Sequence, residues 1–167
     1  MKILEQDTGN YTLFKDNNNF ISFCPSRGGI ITKWVVNNQH ILYFDQKRFL
    51  DKSKSIRGGI PILFPICGNL ENKSLFGDDF LDLMQHGFAR DQEWNYGFNQ
   101  LNKSLCLTLS DNEITRRYYP YFFELKIDIT LSIKTLIFNI EIFNKSDSLM
   151  PVNFGLHPYF NICLLYT

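Results

Sequence analysis

The sequence has almost no alanine and no charge imbalance, and both features narrow the class of protein to which it can belong. Alanine, the strongest helix former, occurs once in 167 residues, at Ala89. Lys+Arg and Asp+Glu are 17 each, so the basic excess typical of nucleic-acid-binding proteins is missing. No segment approaches the roughly 18 apolar residues that cross a bilayer. Residues 1–9 lack the pattern of a signal peptide. We therefore expect a cytoplasmic protein with little helix and no nucleic-acid or membrane partner.

The cysteines lack the spacing of a zinc site or a disulfide framework. Cys24, Cys67, Cys106 and Cys163 are far apart, and none belongs to a CxxC pair. We expect reduced and mostly buried thiols.

Strand signals dominate what the sequence does contain. Phe occurs 16 times and Tyr 8 times, and aromatic residues favour strands. Tyr11–Lys15 and Phe20–Cys24 are β-prone segments that flank the turn-forming cluster Asp16–Asn19, which predicts a hairpin. Apolar and polar residues alternate through Lys126–Lys134, and the alternation continues from Leu136 to Ile142. This pattern predicts a second antiparallel hairpin.

The remaining segments complete the expected fold. Further short strands are expected at Ile30–Val36, His40–Phe44 and Pro151–Leu156. Ser55–Gly68 contains two prolines and three glycines and predicts an irregular apolar loop. We expect Asn69–Phe80 to be exposed and Glu113–Pro120 to form a turn. The prediction is an all-β fold, an antiparallel β-sandwich, in one domain over residues 1–167.

Two of the three histidines have a rigid local setting. His86 is followed by a glycine, and His157 lies between Leu156 and Pro158. Histidine titrates near neutral pH and can exchange protons with a sugar oxygen. His40 follows a turn, and we expect a solvated side chain with no role.

Two arginines neighbour these rigid segments. Arg57 precedes a glycine pair and Arg90 follows Ala89, and guanidinium groups bind hydroxyl pairs or phosphates with fixed geometry. Arg116 and Arg117 are expected to be solvated. Some nearby aromatic residues would line a sugar pocket and most would be core: Phe64, Phe88, Trp94, Tyr159 and Phe160.

Three strings, read in order, give a more specific indication than composition. They are IRGGIPILFPICG, HGFARDQEW and NFGLHPYF. Together they resemble the galactose-mutarotase-like superfamily, and within it the hexose-6-phosphate mutarotases (glucose-6-phosphate 1-epimerase-like). The resemblance covers roughly residues 10–160.

The resemblance implies a large antiparallel β-sandwich that interconverts the α and β anomers of an aldose by ring opening, without metal or cofactor. By position in the motifs, His157 corresponds to the general acid on the ring oxygen and His86 to the second histidine. Arg57 and Arg90 correspond to substrate-binding arginines, which in this branch would hold a 6-phosphate. A sugar or sugar phosphate is therefore the expected partner.

One part of the family pattern is missing. The family's base is a glutamate in the C-terminal part of the domain, well beyond the position of His157. This chain ends ten residues after His157. We therefore expect a sandwich truncated before its C-terminal strands, with weak or no activity alone and with self-association through unpaired sheet edges. A non-catalytic sugar-binding module and a degenerate fragment remain as alternatives. A metal site at His86 and His157 is the least favoured, because no Asp, Glu or Cys pattern completes it.

Overall fold

The architecture consists of two facing antiparallel sheets joined by an irregular central loop. The computed structural model describes residues 2–6, 9–71 and 82–162. Within these residues the strands and helices are β1 (Lys2–Gln6), β2 (Asn10–Asp16), β3 (Asn19–Cys24), β4 (Ile30–Val36), β5 (Gln39–His40), α1 (Gln46–Leu50), β6 (Ile62–Leu63), a short 3-10 helix (Ala89–Asp91), β7 (Asn95–Asn99), β8 (Ser104–Ser110), α2 (Glu113–Tyr118), β9 (Phe123–Leu131), β10 (Leu136–Asn144) and β11 (Gly155–Leu156).

Strand pairing follows the chain closely. The first sheet has the order β1-β2-β3-β4-β5, and the second has the order β10-β9-β8-β7. Every neighbouring pair is antiparallel. The short strands β6 and β11 pair with each other, Ile62 opposite Leu156 and Leu63 opposite Gly155. This pairing brings a late segment of the chain beside the central loop. The predicted all-β sandwich is confirmed.

Apolar residues that alternate with polar ones along the strands form the core. In β9 every second residue, from Phe123 to Leu131, is at most 2% exposed, and the intervening residues are half-buried. These side chains meet buried residues of the first sheet, such as Leu13 and Ile21, in one hydrophobic cluster. Fully burying a side chain of this size stabilises by about 1.5–3 kcal/mol.

Both predicted hairpins are confirmed. The first consists of β2 and β3, with Leu13 opposite Ile21. The second consists of β9 and β10, with Ile129 opposite Phe138. The strand predicted at Ile30–Val36 has those bounds.

Two predicted strands are much shorter than expected. Only Gln39–His40 pairs as a strand near the predicted His40–Phe44, because the following residues bond alternately to different segments. The prediction of a strand over Pro151–Leu156 is wrong except for Gly155–Leu156. Ahead of that pair the chain is held by isolated bonds and not by a strand ladder: the Asn153 N–H donates to the Pro65 carbonyl, 2.8 Å, and the Tyr119 hydroxyl donates to the Pro151 carbonyl, 2.6 Å.

The turn predicted at Glu113–Pro120 is instead the helix α2. Asn112 caps it, since its side chain accepts hydrogen bonds from the N–H groups of Ile114 and Thr115. The Asn112 N–H in turn donates to the Thr115 hydroxyl, which completes a capping box. Neither α1 nor α2 exceeds two turns, so neither produces a recognisable 3.6-residue period.

The cysteines only partly match the expectation of buried thiols. Cys24 is buried, Cys106 is half-buried and Cys67 is exposed, and all three are free. Cys163 and most of the segment expected to be exposed at Asn69–Phe80 lie outside the described residues.

No helix among the described residues is long and apolar enough to span a membrane.

Candidate active site

Arg57 lies in the loop between α1 and β6, which packs tightly against an earlier part of the chain. Gly58 has φ +111°, and a Cβ there would lie 2.5 Å from the Cα of Phe44, so the close approach requires glycine. The Gly59 N–H donates to the Tyr43 carbonyl, 2.7 Å. The Arg57 side chain is exposed and makes no hydrogen bond or ion pair with any described residue. The loop thus fixes the backbone and leaves this guanidinium available.

His157 lies on an extended segment that crosses the central loop. Alternate N–H groups along it donate to the loop and to a neighbouring segment: His157 to the Pro61 carbonyl (3.0 Å), Tyr159 to Gly59 (2.9 Å) and Asn161 to Ile41 (2.9 Å). This period of two is that of an extended strand, in which side chains two residues apart share a face. The imidazole of His157 and the ring of Tyr159 accordingly lie together, with ring centroids 4.9 Å apart.

His86 is held in an unusual backbone conformation by reciprocal bonds with Gly68. Its φ is +70°, in the left-handed region. The His86 N–H donates to the Gly68 carbonyl (2.8 Å), and the Gly68 N–H donates to the imidazole Nδ1 (2.9 Å). Because Nδ1 accepts a hydrogen bond, the neutral ring carries its proton on Nε2. His86 can therefore donate from Nε2 while Nδ1 is anchored.

The electrostatic surroundings of His86 favour its neutral form. Burial lowers its pKa, and the neighbouring charges of Arg90 and His157 lower it further. Protonation would also place a second donor against the Gly68 N–H. His86 is thus suited to hydrogen bonding at neutral pH, and another group must supply a proton.

Arg90 differs from Arg57 because it is already engaged. Its guanidinium donates to the Gln85 carbonyl at 2.8 Å, and its Nε lies 3.6 Å from the Asp91 carboxylate. These contacts orient the side chain, which is 23% exposed. Arg90 is therefore pre-oriented, whereas no described residue orients the Arg57 side chain.

All four predicted residues line the same cleft. Its volume is about 270 Å³, just below the range of about 300–1,000 Å³ that is usual for ligand pockets. The rings of His86 and His157 meet edge to face with centroids 5.9 Å apart. The lining residues are Ser55, Ile56, Arg57, Pro61, Leu63, Gln85, His86, Arg90, His157 and Tyr159. No carboxylate is among these described lining residues, and Asp91 lies beside Arg90 without lining the cleft. Asp91 offsets part of the Arg90 charge, and the remaining positive charge of the lining favours an anion.

The sequence indicated some of this lining and missed other parts. Tyr159 was one of five candidate aromatic residues, whereas Phe64, Phe88 and Trp94 belong to the core and Phe160 is exposed. Gln85 was not predicted as a site residue, although it directly precedes His86, the first residue of HGFAR. Its carbonyl contact with Arg90 depends on the turn at residues 85–88, which no periodicity reveals.

The residues expected to have no role lie elsewhere. His40 is exposed, as expected. Arg117 is exposed, whereas Arg116 is half-buried and pairs with Asp111, so the expectation that both are solvated is only partly right. Within the described ranges, no group of three potential metal ligands was found.

A larger cavity of about 950 Å³ lies away from this cleft, between α1 and the first sheet. Its lining includes the hydroxyls of Ser22 and Thr32 but no histidine or arginine. Volume alone favours that cavity, whereas the convergence of two imidazoles and two guanidiniums favours the smaller cleft. We place the candidate active site at the smaller cleft on these chemical grounds.

Known proteins share both the sequence and the fold. The family model described as aldose 1-epimerase matches residues 11–164. The plasmid-encoded protein LacX of Lactococcus lactis is 33% identical over 116 residues, which are 65% of this chain and 38% of LacX. A Cenchrus ciliaris protein provisionally named glucose-6-phosphate 1-epimerase is 29% identical over 145 residues, 80% of this chain and 41% of that protein.

Solved structures have a similar fold. Slr1438 from Synechocystis sp. PCC 6803 superposes with a TM-score of 0.79 at 44% identity, covering 95% of this chain and 53% of Slr1438. A galactose mutarotase related enzyme from Lactobacillus acidophilus gives a TM-score of 0.73 at 29% identity, covering 92% of this chain and 49% of that enzyme. The chain thus spans about half the length of these structures, and about two fifths of the curated relatives it matches.

Proposed function

Because the chain belongs to the aldose 1-epimerase family, we propose that its cleft binds a hexose 6-phosphate and takes part in interconverting the α and β anomers. The observation that carries this proposal is the convergence of Arg57, His86, Arg90 and His157 on one cleft. Neutral hydroxyl groups alone would not require two guanidiniums. Two guanidiniums match the charge of a phosphate dianion, and charge-assisted bonds to guanidinium are among the strongest hydrogen bonds.

The two histidines divide the chemistry between them. His157, in its protonated form, donates a proton to the ring oxygen while the bond from C1 to that oxygen breaks. The C1 hydroxyl loses its proton, and its oxygen becomes the aldehyde oxygen. Rotation about C1–C2 and reclosure on the other face give the other anomer. The C5 hydroxyl returns its proton to His157 as it attacks C1, and the aldehyde oxygen takes a proton back from the conjugate acid of the base. His86 donates from Nε2 to a sugar oxygen and stabilises charge that develops there.

The base for the C1 hydroxyl is the incomplete part of this site. Among the described residues no carboxylate lines the cleft. The proton therefore passes to water, or to a carboxylate from outside the described part of the chain. A positioned general base typically contributes about 10²–10⁴-fold, so we expect slow turnover by this chain alone.

A non-catalytic sugar-phosphate binder is the second candidate, and the lack of a carboxylate among the described lining residues is the observation that favours it. A degenerate fragment would retain neither binding nor turnover.

One NMR experiment separates these functions. Exchange between the anomers of glucose 6-phosphate is measured with and without the purified chain, beside His157→Gln as the matched control. We expect faster exchange that depends on His157. Chemical-shift changes without faster exchange would support the binder, and the absence of both in a folded chain would refute the proposal. Glucose, tested in parallel, shows whether the phosphate is required.

We also propose that copies of the chain pair through β10. Among the described strands, β10 pairs only with β9, and apolar Ile137 and Phe143 lie exposed on it. An unpaired edge of this kind accepts a further strand. Sedimentation of the chain beside Ile137→Lys tests this, because a charge on the edge should reduce pairing. A monomer at all concentrations would contradict it.

The free thiols of Cys24, Cys67 and Cys106 support a reducing compartment, and we propose the cytoplasm.

A further inference from the structure

The imidazole of His157 has little to hold it in place. The residue is exposed, and its side chain makes no hydrogen bond with any described residue. By contrast, His86 is anchored through Nδ1. A proton donor acts efficiently only when it is held in the productive geometry, so something else must restrict this ring.

Tyr159 is well placed to provide that restriction. Its ring centroid lies 4.9 Å from that of His157, and the two planes are inclined by only 31°. The ring centroids of His86 and His157 are farther apart, at 5.9 Å, and these two rings meet edge to face. Tyr159 therefore covers one face of the His157 imidazole, while His86 borders it from another side.

The backbone of Tyr159 is fixed more firmly than its position in a loop would imply. Its N–H donates to Gly59 (2.9 Å), the Gly59 N–H donates to Tyr43 (2.7 Å), and the Tyr43 N–H donates back to the Tyr159 carbonyl (3.0 Å). Three segments thus close a ring of backbone hydrogen bonds. One of these segments carries Arg57, so the ring couples the position of Tyr159 to the substrate-binding loop.

We propose that Tyr159 is a positioning residue whose aromatic ring holds the His157 imidazole in the orientation needed to protonate the sugar ring oxygen. This inference rests on the proposed function. The phenol hydroxyl makes no hydrogen bond with any described residue, so the ring, and not the hydroxyl, carries the effect. Phenylalanine at position 159 should therefore position the His157 imidazole as well as tyrosine does.

The test compares Tyr159→Phe with Tyr159→Leu, and uses Tyr118→Leu as a control at an exposed tyrosine outside the cleft. The first readout is independent of activity: the ring-proton shifts and side-chain rotamer populations of His157 by NMR. We expect the wild type and Tyr159→Phe to show upfield ring shifts and one dominant rotamer. In Tyr159→Leu we expect both features to be lost.

The second readout is anomer exchange of glucose 6-phosphate. Equal population of three χ1 wells would leave about one third of the chains productive, so Tyr159→Leu should lower kcat at least about threefold. A displacement of the ring by about 1 Å would increase the loss to roughly 100-fold. KM should stay nearly constant, whereas direct substrate binding by Tyr159 would raise it.

The outcomes distinguish this inference from the proposed function. A wild type without exchange activity would refute the catalytic proposal, and the NMR comparison would still decide the role of Tyr159. Unchanged His157 shifts and rotamers in Tyr159→Leu would overturn the inference, as would an unchanged kcat in an active chain.

Discussion

The backbone at Gly87 provides the sharpest test of how the fold holds His86. Gly87 has φ +71°, and a Cβ there would lie 2.5 Å from the carbonyl carbon of Phe64, well inside the roughly 3.5–4.0 Å of favourable carbon contacts. The Phe64 carbonyl cannot move away freely, because it accepts hydrogen bonds from Phe88 (3.0 Å) and Ala89 (3.2 Å). Alanine at position 87 must therefore strain the backbone or weaken those bonds.

The expected cost of Gly87→Ala follows from these contacts. The left-handed conformation costs an alanine about 1–2 kcal/mol. Each weakened hydrogen bond adds about 0.5–1.5 kcal/mol. We therefore expect a loss of about 2–5 kcal/mol in the free energy of unfolding. With a urea dependence of about 2 kcal/mol per M, the unfolding midpoint should fall by about 1–2.5 M.

Two other glycines separate the contributions. Gly68 has φ +92° but open space where a Cβ would lie, so Gly68→Ala should lose only the conformational contribution of about 1–2 kcal/mol. Gly97, in β7, has neither constraint, and alanine there should be neutral or stabilising by up to about 1 kcal/mol. Urea unfolding followed by the fluorescence of buried Trp94 measures all three. Equal midpoints for Gly87→Ala and Gly97→Ala would refute the reasoning.

Three further predictions concern the cleft and its supports. Because the folded pKa of His86 is lowered, its contribution to stability is present above about pH 6.5 and declines as pH falls toward the lower folded pKa. His86→Asn keeps an acceptor for the Gly68 N–H and tolerates the left-handed backbone. In thermal melts the melting temperature of this variant should fall less as the pH is lowered, and the variant should remain folded at neutral pH. Arg57→Met should weaken glucose 6-phosphate binding about 10- to 100-fold in titration calorimetry and reduce its salt dependence, and an unchanged affinity would contradict a phosphate contact. Tyr119→Phe removes the 2.6 Å bond to the Pro151 carbonyl and should lower stability by about 1–3 kcal/mol in urea unfolding, whereas no change would mean that water replaces the bond.

The sheets were predictable where one face is buried and the other is not. In β9 the alternation of Ile127 and Ile129 with polar neighbours fixes both the strand and its register, and the structure has this hairpin. The strand β8 has the same period of two, with buried Leu105, Leu107 and Leu109 alternating with half-buried residues, and the sequence prediction overlooked it. β7 has no such alternation, because its residues are exposed or half-buried throughout.

The helices and the cleft walls depend on signals of a different kind. α2 is only six residues long, and its signature is the cap at Asn112 and not a period. The four site residues were identified from the motifs, but their distances depend on non-local bonds such as that from His157 to Pro61. Such bonds join residues about a hundred positions apart and leave no trace in local sequence patterns.

The asymmetry between the two histidines ties the fold to the proposed chemistry. His86 is anchored by a backbone donor and has its pKa lowered, so it remains a neutral hydrogen-bond donor. His157 has no hydrogen-bonded anchor among the described residues and faces Tyr159, so its ring is free to exchange a proton with a ligand. Two imidazoles 5.9 Å apart would repel each other if both were charged. Protonation of both rings at once is therefore disfavoured, and His86, whose pKa is lowered, is the ring that stays neutral and acts as the hydrogen-bond donor.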